Sequence, residues 1–491
     1  MEESQPSLTL KELAILLLLT VGALLVHGYH PGVEDAEIYL PGIEKILHPE
    51  LFPFNAEFFN SHAHLTLFPN FVAASLRLTH LSFDIVLLAF ELGSIFLLLL
   101  ACLKLSGECF NSPCARWCGV ALVASLLTLP VAGTALYILD QYTNPRNLAA
   151  FAAIFAIASL LKQKYVTTTL WLAFAAALHP LMSVFAFSFC VLLIWMKTAR
   201  MKSPSIAVAA LLFPLGFSFQ PPSNAYHQST LYHTFHYILN WQWYEWVGII
   251  APDALFWWFA RIARAKGQRN LELVCRALIV YDLVYFAAAL IVSIPARFES
   301  LARLQPLRSL HLLYILLIVI GGGFLGEYVL RSRIWRWALL FTPLCAGMFF
   351  AQRALFPATP HIEWTLSAQG NEWARAFVWV RQNTPTDALF ALNPLHMRIP
   401  GEDAHGFRAI SERSMLADAM KDSGAVTMFP PLAEEWFAQV QAQSDWDHFQ
   451  IQDFQRLKAR YGVTWIVWEK PAVPGMECPY KNPAVQVCHL N

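Results

Sequence analysis

The sequence predicts a mainly α, polytopic helical membrane protein of about eleven spans, followed by a small C-terminal α/β domain on the extracytoplasmic side. Three observations carry this. Of 491 residues, 57% are hydrophobic and only 14% charged, against about a quarter charged in an ordinary soluble domain, so the chain lacks the residues for a polar skin. Apolar runs near the ~20 residues that cross a bilayer recur along most of the chain. From Thr359 onward those runs shorten, and Asp plus Glu (15) outnumber Lys plus Arg (11). This divides the chain into a membrane domain, 1–358, and a C-terminal domain, 359–491. The balance of 34 basic and 34 acidic residues excludes a nucleic-acid binder that works through bulk positive charge, and the apolar content excludes disorder.

The expected spans are 12–28, 83–104, 117–138, 148–162, 165–178, 181–196, 205–220, 244–262, 271–294, 309–330 and 336–356. The run from Thr167 to Met196 is too long for one straight helix. His179-Pro180 divides it, because proline disfavours a helical residue before it and removes a backbone donor; a single kinked helix is the alternative. Charge decides between them. With eleven spans and a cytoplasmic N-terminus, sixteen Lys and Arg fall inside and six outside, before the C-terminal domain, a strong positive-inside bias. Merging 165–196 would put the basic 261–276 loop outside. The first span reads as an uncleaved helix: Glu2, Glu3 and Glu12 surround Lys11, which makes a poor signal-peptide n-region.

The unusual polar residues gather in the outside loops. The first, 29–82, begins His30-Pro31-Gly32-Val33-Glu34-Asp35-Ala36-Glu37 and continues in aromatic and amphipathic pieces that suggest short helices on the membrane surface. Glu34, Asp35 and Glu37 read either as a solvated acidic loop or as a carboxylate cluster. Such a cluster suits general-base work or oxygen ligation of a divalent cation such as Mg or Mn, with Asp35 and Glu37 as the ligands. In the second loop, Asn144-Pro145 is explained as a helix N-cap, which leaves Asp140 and Arg146 unexplained. His179 sits at the next outside turn. His233 and His236, three apart in a loop rich in aromatic residues, would share a helix face, although two histidines alone make a weak metal signal. The last outside loop carries Arg297, Arg303 and Arg308 against the topological trend. The planar guanidinium fork suits phosphate oxygens, and Arg303 and Arg308 lie nearest the next span.

Cys109, Cys114 and Cys118 have neither CxxC spacing nor a histidine partner, so they do not read as a zinc site. Cys478 and Cys488 lie where the compartment permits a disulfide. In the C-terminal domain the pattern predicts a helix over 371–382, a buried strand over 388–392, a short strand over 407–410, a helix over 450–461 and a closing strand over 463–468. Arg408, Glu412, Arg413, Asp418, Lys421 and Asp422 form a dense polar stretch, by default a solvated face, with acceptor or sugar recognition as the alternative.

Asp35-Ala36-Glu37, in the first outside loop directly after the first helix, resembles the modified DxD motif of the GT-C superfamily of integral-membrane glycosyltransferases. The opening of the C-terminal domain, from Trp373 through Thr384-Pro385-Thr386-Asp387-Ala388 to Phe390, looks like the helix, TPxDA turn and strand that follow the membrane half in many of them. The chain departs from the protein-mannosyltransferase and oligosaccharyltransferase subfamilies: it has no WWDYG-type motif and lacks their acidic dipeptides, so it looks more like a prokaryotic branch. The resemblance implies a multi-pass protein of the plasma (inner) membrane, in contact with membrane lipid, that takes a polyprenyl-phosphate-linked sugar and transfers it with inversion to an acceptor hydroxyl. Asp35 and Glu37 would then be catalytic. Arg303, Arg308 and Arg146 would bind the donor phosphate, and Glu34, Asp140, His179, His233 and His236 would line the substrate. Two other functions use the same residues: a transporter or flippase for an anionic lipid or solute, coupled through Glu91, Asp282 and Glu327, and a non-catalytic scaffold of GT-C type.

Overall fold

The computed structural model describes residues 8–198, 222–294, 296–366, 371–471 and 473–490. Among these, seven helical segments are long and apolar enough to cross a membrane: Leu10–His27, Phe83–Cys109, Pro180–Thr198, Trp243–Ala265, Arg269–Ser293, Phe298–Leu330 and Ile334–Leu355. Pro145–Leu161 and Tyr165–Leu178 are apolar but shorter. These helices make the chain an integral membrane protein. The expected span over 205–220 lies outside the described residues. The Ile334–Leu355 helix keeps its apolar side chains exposed, Leu339 and Phe350 among them, as a lipid-facing helix must. Phe298–Leu330 is the most enclosed of the seven. It is approached closely by the Pro113–Ser125 helix, where a Cβ on Gly322 would lie 2.7 Å from the Cα of Gly119. Small residues that let two backbones meet in this way are the usual membrane packing device.

Two expectations for this half need correction. The segment 117–138 is not one span: its helix ends at Ser125, and the chain then runs irregularly to Asn144. Pro130 is the physical reason, since it lacks an N–H and disfavours a helical residue before it; a short bridge pairs it with Tyr137. Non-helical backbone within a membrane protein is tolerated where it is buried in protein or lines a cavity, and this segment does both. The first outside loop does form three helices, Ala36–Leu47, Glu57–Leu65 and Phe68–Thr79, but the first does not lie on a surface. Ala36 to Ile38 and Leu40 to Glu44 are buried, under the C-terminal domain. The long apolar run near 167–196 is divided at His179, which ends one helix before Pro180 opens the next.

The C-terminal domain holds a five-stranded sheet, β1 Leu389–Ala391, β2 Ser414–Met415, β3 Trp465–Trp468, β4 Glu477–Lys481 and β5 Gln486–His489, in the order β2-β1-β3-β5-β4. β1 runs parallel to both β2 and β3, while β5 is antiparallel to β3 and β4. Helices Glu372–Asn383 and Ile451–Tyr461 pack on it near their expected positions, and Cys478 and Cys488 are joined across β4 and β5. The run 407–410, expected as a strand, is a helix, Phe407–Ser411. A short apolar run cannot be told from a buried helical turn by periodicity.

The junction between the two parts is stitched by backbone. Tyr29 N–H donates to the His361 carbonyl and Glu363 N–H to that of Tyr29, while Glu34 N–H reaches the Ala404 carbonyl and Gly406 N–H that of Gly32. Beside these bonds the buried Glu363 carboxylate is held between two histidines, 2.8 Å from His30 Nδ1 and 3.1 Å from His405 Nε2. Residues 29–37 are therefore fixed from both directions.

Candidate functional site

A cavity of about 830 Å³ lies where the loops meet. It is lined from the first loop (Glu34, Asp35, Tyr39, His62), the irregular segment (Tyr137, Asp140, Tyr142, Arg146), the helix break (His179), the aromatic loop (Tyr232, His233, Phe235), Arg308, and the C-terminal domain (Arg398, Lys421). Every loop that the charge pattern puts outside thus contributes to one chamber.

Asp35 immediately precedes the Ala36–Leu47 helix. Its Oδ1 lies 2.9 Å from Lys421 Nζ and its Oδ2 3.7 Å from Arg146 Nη2, and its N–H points at the Tyr142 hydroxyl, 3.4 Å away. Burial alone would raise this carboxyl, but Lys421 and Arg146 outweigh it and hold Asp35 well below the usual carboxylate range. Asp35 is an anion at every physiological pH. Arg146, in the first turn of the Pro145–Leu161 helix, is committed chiefly to Asp140, with Nη2 and Nε 2.5 and 3.1 Å from the same oxygen. That oxygen also accepts from Asn144 Nδ2 at 2.8 Å. Asn144 in turn caps the helix by accepting from Asn147 N–H at 3.0 Å, as the N-cap reading expects.

Arg308 is different. Its guanidinium stacks over Phe235, 4.5 Å from the ring centroid, its buried Nε has no hydrogen-bond partner, and among the described residues it makes no ion pair. A guanidinium left this way at a cavity wall has the charge and the free donor to meet an anion. The imidazoles nearby do not compete for that role. Burial pushes His62 down to about 4 and His233 down to about 3, the latter reinforced by Lys421 and Arg308, so both are neutral at pH 7. His233 Nε2 instead pairs with Ser423 Oγ at 3.0 Å.

Three sequence-predicted residues behave differently from the grouping the sequence suggested. Glu37 is not in the cavity. Successive helical residues turn ~100°, so a side chain two positions past Asp35 faces the other way, into the domain interface. There it lies 3.4 Å from Arg408 and accepts from the Ala409 N–H at 3.2 Å. Burial pushes it up to about 8, against the pull of Arg408 and with the push of Asp418 and Asp422. Arg303 and His236 are absent from the cavity lining; His236 is buried behind it. The side chain of Arg297 lies outside the described part of the structure.

The proposed divalent cation also fails a test of fit. Asp35 and Glu37 do not converge, and Asp35 already meets two cations. Among the described residues no group of three or more His, Cys, Asp or Glu is placed to hold a metal.

None of the protein-family descriptions compared, and none of the curated proteins, matches the chain. Among solved structures, the crystal structure of the Archaeoglobus fulgidus oligosaccharyltransferase, a complex with Zn and sulfate, aligns with 92% of this chain and 67% of its own, at 11% identity and a TM-score of 0.39. That likeness is too loose to carry an assignment.

Sequence reasoning missed Lys421. The polar stretch that contains it is not a solvated face, as the default reading had it: Arg408, Arg413, Asp418 and Asp422 are all buried. Arg408 grips Asp422 bidentately at 2.9 and 2.7 Å, and Asp422 Oδ2 accepts from Asp418 N–H at 3.0 Å. Asp418 Oδ1 accepts from the N–H groups of Met420 and Lys421, both at 2.6 Å, so it fixes the start of the Lys421–Met428 helix, whose first side chain lines the cavity. The available signal was Asp418 three residues before Lys421 at a helix start.

Proposed function

We propose that the chain is a membrane glycosyltransferase of GT-C type that moves a sugar from a polyprenyl-phosphate donor to an acceptor hydroxyl, with inversion. What supports this reading is one juxtaposition: an ionised carboxylate, Asp35, and an uncommitted guanidinium, Arg308, face a single chamber large enough for a sugar and its acceptor. In the reaction, the acceptor oxygen bonds to the anomeric carbon as the bond from that carbon to the phosphate oxygen breaks. The electron pair leaves with polyprenyl phosphate. Arg308 binds the phosphate and stabilises the charge growing on it, where low dielectric strengthens such a contact. Asp35 accepts a hydrogen bond from the attacking hydroxyl and takes its proton. Held at a depressed pKa, it is a weak base, so the proton moves late, once bonding to carbon has made the hydroxyl acidic. Arg146 keeps Asp140 and Asp35 in place. No step runs through a metal. Glu34, Asp140, His179 and His233 serve as lining, and Glu37 serves the scaffold.

Purified protein in proteoliposomes, offered polyprenyl-phosphate hexoses with alcohol or glycan acceptors, tests this through release of polyprenyl phosphate, a product common to every acceptor. Wild type is expected to release it, and Asp35→Asn to lose release by at least a hundredfold while its melting temperature holds. Transbilayer movement of an anionic lipid without release by wild type would refute transfer and favour transport.

A further inference from the structure

Between the carboxylates of Glu34 and Asp35 the structure holds a lysine ammonium. Lys421 Nζ is 2.5 Å from Glu34 Oε2 and 2.9 Å from Asp35 Oδ1. These adjacent carboxylates belong to the first loop, and the ammonium belongs to the C-terminal domain. We propose that Lys421 is the resident cation of this site, occupying the place of a divalent ion between Glu34 and Asp35, so that the acidic pair works without metal. The inference rests on the transferase reading only for what the pair does in the reaction.

Three features argue that this placement is built. Lys421 is not a long surface side chain that happened to fold inward: its own side chain is 14% exposed, and its backbone N–H is fixed by Asp418. Asp418 in turn donates its N–H to Asp422, which Arg408 grips. Second, the Glu34 backbone is in the left-handed region, with φ at 54°, a conformation that a non-glycine residue adopts at a cost. It is held there by the Glu34 N–H bond to Ala404, on the same domain that brings Lys421. Third, geometry and charge both exclude a second cation. Magnesium demands oxygen ligands at ~2.1 Å in an octahedron. The centre of such a site is filled by the ammonium, with Arg146 on the other oxygen of Asp35. Adding two positive charges beside Lys421 and Arg146 would be opposed at short range.

Lys421 is on this account a positioning residue. It keeps Asp35 ionised and oriented, and the site is complete only while the C-terminal domain is docked.

The consequence is that removing the ammonium should turn the pair into a metal site. Thermal melting of the full-length protein in detergent is measured across 0–5 mM MnCl2, with matched ionic strength, and after EDTA. Wild type and Lys421→Arg should show no shift. Lys421→Met should melt lower without metal and regain roughly 2 °C or more with Mn2+ in a saturable manner, an effect that loss of packing alone would not give. A folded Lys421→Met that ignores Mn2+ overturns the proposal, as does a wild type that is itself stabilised. The electron paramagnetic resonance signal of free Mn2+ in the presence of wild type provides a measurement that needs no variant. Signal undiminished by protein supports the proposal, and stoichiometric Mn2+ uptake that Asp35→Asn abolishes overturns it. Neither readout depends on sugar transfer, so failure of the transferase reading would leave these results distinct.

Discussion

Replacing Arg308 and Arg146 in turn separates binding from folding, because the two guanidiniums stand in opposite electrostatic situations. Arg146 is neutralised by Asp140 at 2.5 Å and stands 3.7 Å from Asp35; Arg308 makes no ion pair among the described residues, and its Nε is orphaned. Arg146→Met leaves the buried Asp140 carboxylate with Asn144 as its remaining side-chain hydrogen-bond donor. Breaking a buried pair from one side costs about 3–5 kcal/mol, so the melting temperature should fall by several degrees. Arg308→Met removes a desolvated charge that no ion pair among the described residues repays, and retains the apolar stem against Phe235. Stability should hold or rise, as substitutions that relieve a strained functional site often do. The loss appears instead in anion affinity. One charge-assisted hydrogen bond to phosphate contributes about 1.5–3 kcal/mol, which is a weakening of roughly 10- to 150-fold. Nanoscale differential scanning fluorimetry supplies the first readout, and a titration of polyprenyl phosphate followed by microscale thermophoresis the second. If Arg308→Met melts as low as Arg146→Met, or binds polyprenyl phosphate as tightly as wild type, the assignment of Arg308 as the phosphate receptor is wrong.

Glu37→Gln tests the buried partner of Arg408 through pH. The carboxyl is pushed up to about 8 in the fold from an ordinary value of 4.5, so between those values the folded protein holds a proton that the unfolded chain has lost. Stability from this group therefore falls as pH rises from about 4.5 to 8. The glutamine variant should melt like wild type near pH 4.5 and higher than wild type at pH 8.5; parallel melting curves across that range would remove Glu37 as the titrating group. Gly406→Ala tests the closeness of the domain junction. A Cβ there would meet Glu37 Oε2 at 2.5 Å and Glu37 Cα at 3.0 Å, and because that neighbour includes backbone, the junction must shift. A loss of about 1–3 kcal/mol is expected, read as a lower denaturation midpoint; an unchanged midpoint would mean that the junction is loose.

Much of the chamber was legible because membrane topology is written in composition. An excess of Lys and Arg on one side sorts the loops, and sorting them is nearly equivalent to saying which can meet. Asp35, Arg146, His179, His233 and Arg308 come from different loops of the membrane half, yet the charge pattern had already assigned those loops to one side. What the pattern could not supply is direction within a loop. Asp35 and Glu37 look like a pair when written two letters apart, but a helix that starts at Ala36 sends them to opposite sides, one to a cavity and the other to Arg408. The strength of Arg308 as a candidate was equally hidden. Arg303 and Arg308 are alike in sequence, and only packing reveals that Arg308 lines the chamber and stands there without an ion pair. Lys421 was the least legible of all. Its neighbours Arg408, Asp418 and Asp422 read as a solvated face, because charged residues usually are solvated. They are buried here as a hydrogen-bonded cluster, which composition cannot distinguish from a wet one. The cluster is a strong argument that the C-terminal domain is part of the site. Burying the charged side chains of Arg408, Asp418 and Asp422 is costly unless they are paired or hydrogen-bonded, and the geometry obtained in return is an ammonium delivered to Asp35 from the far end of the sequence.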